Sequence, residues 1–417
     1  MTITFPLWLP WMLWRSMRRR ERPNWAERMG DSHVRPRRDR KRVWIHAVSV
    51  GEVLAAVPIL RRVRDGLPDF EIVLSVTTSS GHETARKSAA EFVDHLIYFP
   101  IDVARFQLAA ASRVQPAVVA IMETELWMNF LWAVKTFDSE TMIINGRISD
   151  RSFPRKRRVR FFYADLLRRL DLALMQTDRD AARIKELGAA QVEVLGNVKF
   201  DQADEGRSTA SPDWRKELGV GTERSVLVIG STRSATEEAL VMEALHEVGW
   251  DRFDVVWAPR HLERAEAIVS RLHEAGQRVA RRSRGEKGSV LLLDSYGELA
   301  SVYAAADIVV IGGGFDQLGG QNPIQALAHG KPVVFGPHMT NFRDVAEMAL
   351  AAGAAQVASS SHELADVLRD LLADAGRRQK MGDAARELVT QNLGAADRYA
   401  ARIVEAARRV AAKRGKT

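Results

Sequence analysis

Short apolar runs recur along the chain from about residue 43 onward, separated by stretches of helical period. In the first half they are Val43–Ala47, Ile72–Thr77, Ala117–Met122, Thr141–Asn145, Leu172–Gln176 and Val192–Leu195. Runs this short, apolar rather than alternating, predict strands buried on both faces, as in a parallel sheet. Amphipathic segments such as Val103–Arg113 and Asp178–Leu187 predict the connecting helices. Asp201–Pro212 (D-Q-A-D-E-G-R-S-T-A-S-P) is polar and aperiodic and reads as a linker. The pattern then restarts with Ser225–Gly230, Asp254–Pro259, Val290–Asp294, Asp307–Ile311 and Pro332–Phe335, and a charged helical tail runs from Ser361. This predicts two doubly wound α/β domains, residues 43–203 and 204–417, facing a cleft.

In open α/β sheets, ligands bind beyond the carboxyl ends of the strands. The stretch His46-Ala-Val-Ser-Val-Gly-Glu52 lies at such an end, between a strand over Arg42–Ala47 and a helix over Glu52–Asp65. Ser49, Val50 and Gly51 would form the tight turn, with Gly51 allowing close backbone approach. Glu52 is then placed to take a proton from a bound hydroxyl. On the residues alone it can equally be a first-turn acid that complements the helix dipole. Glu123 and Glu125 follow the Ala117–Met122 strand and have the same two readings, helix-start acids or substrate-positioning groups.

The second half carries three strand-end turns suited to a phosphate. Val228-Ile-Gly-Ser-Thr232 offers Gly230, Ser231 and Thr232; Trp257-Ala-Pro-Arg-His261 offers Pro259, Arg260 and His261. Ile311-Gly-Gly-Gly314 brings Gly313 and Gly314, and Gly319-Gly-Gln-Asn-Pro323 follows with Gly320, Asn322 and a proline suited to a first helical position. Arginine grips phosphate oxygens in bidentate fashion, and backbone N–H groups at helix starts face anions. Three such turns at successive strand ends of one domain predict a nucleotide site.

Composition narrows the chemistry. The chain of 417 residues contains no cysteine, which excludes disulfides, thiolate metal sites and a cysteine nucleophile and suits a reducing compartment. No metal constellation stands out: His261, His329 and His338 read as hydrogen-bonding groups. Residues 1–43 hold twelve Lys/Arg against four acids, so this leader carries the whole net charge of +8. A basic collar on a neutral body points to a local anionic partner such as a membrane surface, not to nucleic acid. Beside it lies Ile3–Trp14, apolar and uncharged with Trp8, Trp11 and Trp14. It is too short to span a bilayer and lacks the flanks of a signal peptide. Residues 1–42 therefore read as a monotopic anchor on a cytoplasmic face. Arg151, Arg155, Lys156, Arg157, Arg158 and Arg160 form a second basic cluster, either a solvated face or a contact for anionic groups.

Together these motifs resemble the 3-deoxy-D-manno-octulosonic acid (Kdo) transferases of Gram-negative envelopes, inverting glycosyltransferases of the GT-B fold. The match includes H-A-V-S-V-G-E (46–52), M-E-T-E-L-W (122–127), N-G-R-I-S (145–149) and G-N-V-K-F-D (196–201). It continues with G-S-T (230–232), A-P-R-H-L-E-R (258–264), D-S-Y-G-E-L (294–299) and Gly319 through Phe342. The resemblance implies a CMP-Kdo donor in the C-terminal domain and a lipid A precursor as acceptor, at the cytoplasmic face of the inner membrane. It implies Glu52 as general base, with Ser49, Gly51, Glu123, Glu125, Asn145 and Arg147 on the acceptor side. A single-phosphate donor requires no metal cofactor.

The chain departs from that family at two places. The usual H-N-P-L-E-P reads Gln321-Asn-Pro-Ile-Gln325-Ala326 here, and Arg233 and Ala235 replace a His and a Gly. Gln325 has a single acceptor oxygen where a carboxylate could accept from both ribose hydroxyls, a loss worth about ten- to hundredfold in donor affinity. Two alternatives stay open: a UDP-sugar-dependent GT-B transferase of envelope lipid synthesis, or a non-catalytic membrane-associated nucleotide-sugar binder. Intact Glu52, Arg260 and His261 favour an enzyme.

Overall fold

A computed structural model describes residues 24–36, 41–208, 212–221 and 223–414. The apolar segment Ile3–Trp14 and most of the basic leader lie outside them. The chain divides into two compact units, residues 1–202 with 394–417, and residues 203–393. Among the described residues no helix is long and apolar enough to cross a membrane.

The first unit holds seven parallel strands: β1 Arg42–Ala47, β2 Glu71–Val76, β3 His95–Tyr98, β4 Val118–Met122, β5 Glu140–Gly146, β6 Leu172–Met175 and β7 Val192–Val194. Their order is β3-β2-β1-β4-β5-β6-β7. The second unit repeats the plan with β8 Ser225–Thr232, β9 Phe253–Pro259, β10 Val279–Arg281, β11 Val290–Leu292, β12 Ile308–Ile311, β13 Val333–Phe335 and β14 Ala355–Val357. Its order is β10-β11-β9-β8-β12-β13-β14. Central strands are apolar on both faces because helices cover both: β1, β4 and β12 are buried along their whole length.

Three strands have no apolar run to announce them: β3, β10 and β14. All three are sheet edges, short and half-buried, so their sequences keep polar residues such as His95, Arg281 and Gln356. The Asp201–Pro212 segment, expected to be a linker, is helical over Lys199–Ser208. Its polarity has a local cause. Asp201 is buried and its carboxylate accepts the N–H groups of Gly394 at 2.7 Å and Ala396 at 3.3 Å, capping the last helix, Ala395–Arg414.

That last helix corrects the expected domain limits. Residues 394–417, assigned by sequence order to the second domain, belong to the first unit. Tyr399, Ile403, Ala406 and Ala407 lie in one core cluster with Ile59, Leu60 and Met142. The Tyr399 hydroxyl reaches the carbonyls of Gly196 at 2.8 Å and Met175 at 3.2 Å. Helical periodicity reveals an apolar face but not the sheet that covers it. Ile403 is fully buried, so Ile403→Ala should cost about 2–4 kcal/mol in urea unfolding, whereas Arg409→Ala, on the exposed face, should cost less than about 1 kcal/mol.

Candidate active site

Each sheet has one point where the strand order reverses, between β1 and β4 in the first and between β8 and β12 in the second. Crossovers leave such a pair toward opposite faces, so the loops part and a crevice opens beyond the carboxyl ends. The Glu52 motif and the Gly230–Thr232 and glycine motifs lie at these points, with the Trp257–His261 motif one strand to the side, after β9.

At the first, β1 runs into Ser49, the N-cap of helix Val50–Gly66. Val50 and Gly51, expected in a tight turn, instead form the first helical turn. The Ser49 hydroxyl accepts the Glu52 N–H at 3.4 Å and lies 3.1 Å from Glu52 Oε1, while the Val48 N–H donates to Oε2 at 2.8 Å. This is a capping box that reaches one residue past the cap. Glu52 is only 8 % exposed, whereas Gly51 in front of it is exposed. Burial, with the charges of Glu123 and Glu125, pushes the Glu52 carboxyl up to about 7, against the pull of the Val48 and Ser49 bonds. Thr78 adds a buttress from the end of β2, its hydroxyl donating to the Val48 carbonyl at 3.1 Å.

Glu123 and Glu125 are not helix-start acids. The next helix begins at Met128, and Asp102 takes its free N–H groups, accepting from Phe130 at 3.0 Å. Glu123 sits in the left-handed region at φ +54° with Lys199 Nζ 3.5 Å from its carboxylate. Burial raises the Glu125 carboxyl above the usual range while the Lys156 ammonium pulls it down. Asn145 is fully buried: its side-chain oxygen accepts the Val198 N–H at 3.2 Å, and its carbonyl accepts from Gln176 at 2.9 Å. Its oxygen therefore ties β5 to the 197–198 loop, while its side-chain N–H groups are buried with no partner among the described residues. Arg147 is half-buried, and its carbonyl takes the Thr124 hydroxyl at 2.5 Å, joining the β4 and β5 loops. His46 is a core residue, stacked on Phe99 at 3.9 Å and kept neutral by burial, which lowers its pKa to about 3.

At the second reversal, the expected Gly230–Thr232 turn is the end of β8 itself, bulged at Ser231, whose φ is +63°. Gly230 is required there: a Cβ would sit 3.0 Å from Cζ of the buried Tyr303 ring and overlap its hydroxyl. Thr232 is fully buried, its hydroxyl accepting the Trp257 indole N–H at 3.0 Å. Pro259 is buried at the end of β9, while Arg260 and His261 are exposed just beyond it. The Arg260 N–H donates to the Thr232 carbonyl at 2.8 Å and pins the two strand ends together.

The two glycine motifs form one loop system. Gly320 N–H donates to the Gly313 carbonyl at 2.7 Å, Gln321 N–H donates to the Gly312 carbonyl at 3.0 Å, and Gly314 packs against the Gly336 backbone. Gly313 needs to be glycine, with φ +77°. Asn322 accepts the Ile324 N–H at 3.0 Å, and Pro323 occupies the cap position before a helix of only 5 residues, Ile324–Ala328. Gln325 is half-buried on that helix. Among the described residues no cluster of His, Asp and Glu could hold a metal ion.

One functional candidate escaped the sequence reading. Glu237, 1 % exposed, follows the Ser234 N-cap of helix Ala235–Val248, and burial, aided by Asp316, pushes its carboxyl up to about 7. Its signal was present: S-x-x-E at 234–237 repeats S-x-x-E at 49–52.

Two parallel seven-stranded Rossmann-like sheets are the architecture of the GT-B fold. A glycosyltransferase from Rickettsia africae has the same fold, with a TM-score of 0.62 at 10% identity over 88% of this chain and 98% of that one. Residues 23–202 match the family 3-Deoxy-D-manno-octulosonic-acid transferase (kdotransferase), and residues 279–388 match Glycosyl transferases group 1. The 3-deoxy-D-manno-octulosonic acid transferase of Bordetella pertussis is 35% identical over 372 residues, 85% of each chain. The enzyme of that name in Haemophilus influenzae is 28% identical over 85% of each. The chain belongs to the Kdo transferase family.

Glu52 has a measurable cost. With a pKa near 7 in the folded chain against 4.5 when solvated, its contribution to stability is fully present below 4.5 and lost as pH rises through 7. Glu52→Gln should therefore raise unfolding free energy by about 1–2 kcal/mol near pH 8 and by less than about 0.5 kcal/mol near pH 5, read by thermal unfolding.

Proposed function

We propose that the protein transfers Kdo from CMP-Kdo to a hydroxyl of a lipid A precursor with inversion at the sugar carbon, Glu52 acting as general base. The observation that carries this reading is the Glu52 carboxyl itself. It lies at the reversal point of the first sheet beside the exposed Gly51, held by Ser49 and Val48 and raised to about 7. A base with that pKa is ionised often enough at neutral pH and basic enough to take a hydroxyl proton. Glu123 and Glu125 raise it further and would repel a competing anion from the same spot.

The ketosidic bond to CMP ionises readily, so the transition state has oxocarbenium character and the departing phosphate gains charge. The exposed Arg260, the bulged Ser231 and the neighbouring backbone N–H groups are the groups suited to meet it. Attack from the face opposite the phosphate inverts the centre, and the proton passes from acceptor hydroxyl to Glu52. The lipid acceptor and the Trp-rich, arginine-flanked leader agree on a membrane surface as the place of reaction.

Mass spectrometry of a lipid A precursor incubated with the protein and CMP-Kdo tests the reaction. Glu52→Gln should lower turnover at least about 10²-fold with CMP binding preserved, and the wild-type rate should rise with pH through about 7 because the base must be ionised. Retained turnover in Glu52→Gln removes the assigned base. Deleting residues 1–22 should release the protein from anionic vesicles in a flotation assay, whereas high salt should release it only in part, since tryptophan burial survives screening.

A further inference from the structure

The two sheets open in the same way. After β1 and after β8, a serine caps the first helix, accepting the glutamate N–H three residues on, at 3.4 Å for Ser49 and 3.1 Å for Ser234. Each carboxylate then accepts the N–H before its serine, Val48 at 2.8 Å and Arg233 at 2.9 Å. There the likeness ends. Across the first reversal point Glu52 faces acids. Across the second, Glu237 Oε1 meets backbone N–H groups of the loop after β12, Gly313 at 2.5 Å and Phe315 at 3.5 Å. Glu237 thus bridges the crevice, with one oxygen on each wall.

We propose that Glu237 is a positioning residue for the sugar-nucleotide donor: as an anion it ties the turn after β8 to the glycine loop after β12 and holds both in their binding conformation. This rests on the donor reading given above. The turn it ties follows the β8 bulge at Ser231 directly, and the loop it ties carries Gly313, onto which the Gly320–Gln321 segment folds back. An anion is needed because every partner of the carboxylate is an N–H donor. A neutral carboxyl or an amide would present a hydrogen to one wall and lose it. The charged neighbours leave this role to Glu237. Asp316 is held by the Ser234 hydroxyl and pushes the Glu237 carboxyl upward; Glu238 is paired with Arg264 at 2.7 Å; and the Arg233 guanidinium turns to the Leu318 carbonyl at 3.3 Å. The tie therefore changes state near neutrality.

Calorimetric titration of the full chain with CMP, from about pH 6 to pH 8.5, tests this in wild type, Glu237→Gln and Asp316→Asn. The ionisation of CMP is common to all three and cancels in their ratios. Near pH 8, Glu237→Gln should bind CMP about tenfold more weakly, and in turnover its donor KM should rise more than its kcat falls. The wild-type advantage should shrink as pH falls through about 7, and Asp316→Asn should move that loss to lower pH. Equal CMP affinity near pH 8 overturns the proposal. So does an advantage that grows as pH falls, since ionised Glu237 would then merely repel the nucleotide. If Glu237→Gln fails to fold, the Asp316→Asn shift decides: an unmoved pH profile overturns the proposal. Wild type that binds no CMP at any pH removes the donor reading, and this inference with it.

Discussion

Every strand in both sheets runs parallel to its neighbours, and much of the rest follows from that constraint. A parallel strand cannot be reached by a hairpin; the chain must cross over a face and return to the same edge. All strand-to-helix loops of a unit therefore gather at one edge. Only where the order reverses, at β1/β4 and β8/β12, do they part and leave room for a ligand. The helices that make the crossovers also cover both faces of each sheet, which is why β1 and β4 tolerate so few polar groups.

At each reversal point the first helix starts with a serine and a glutamate that satisfy each other's backbone needs. The arrangement fixes a carboxylate at the mouth of the crevice and buries it, and burial without a cationic partner raises its pKa. What faces it then decides its use. Opposite Glu52 stand Glu123, in a left-handed conformation, and Glu125, so its charge is further discouraged and the group is poised to accept a proton. Opposite Glu237 stand N–H groups, which consume both of its oxygens. One local device, present at both reversal points, meets acids in one unit and backbone N–H groups in the other.

The first unit is not complete until the chain returns to it. After the second sheet is built, Ala395–Arg414 lies back on the first, its start capped by Asp201 and its Tyr399 hydroxyl reaching two carbonyls of the β6–β7 region. Both passages between the units thus meet at Asp201 and Gly394. The helix supplies Tyr399, Ile403 and Ala407 to a core that the first 202 residues leave open.

Apolar runs in the sequence determined both sheets, most of their strands and the Glu52 position, because a strand buried on two faces can hold almost nothing polar. Edge strands β3, β10 and β14 escaped, since half-exposed strands carry no such demand. Strand-end residues were legible as chemistry but not as exposure: Thr232 and Asn145 look like ligand contacts in sequence, yet both are fully buried, with the Thr232 hydroxyl accepting from Trp257 and the Asn145 side-chain oxygen from Val198. The S-x-x-E spacing recurs along the chain, and at a helix start it says only that a carboxylate caps the helix. Whether acids or N–H groups stand across from it, and which sheet the last helix covers, is decided by residues far away in the chain that the fold alone brings into contact.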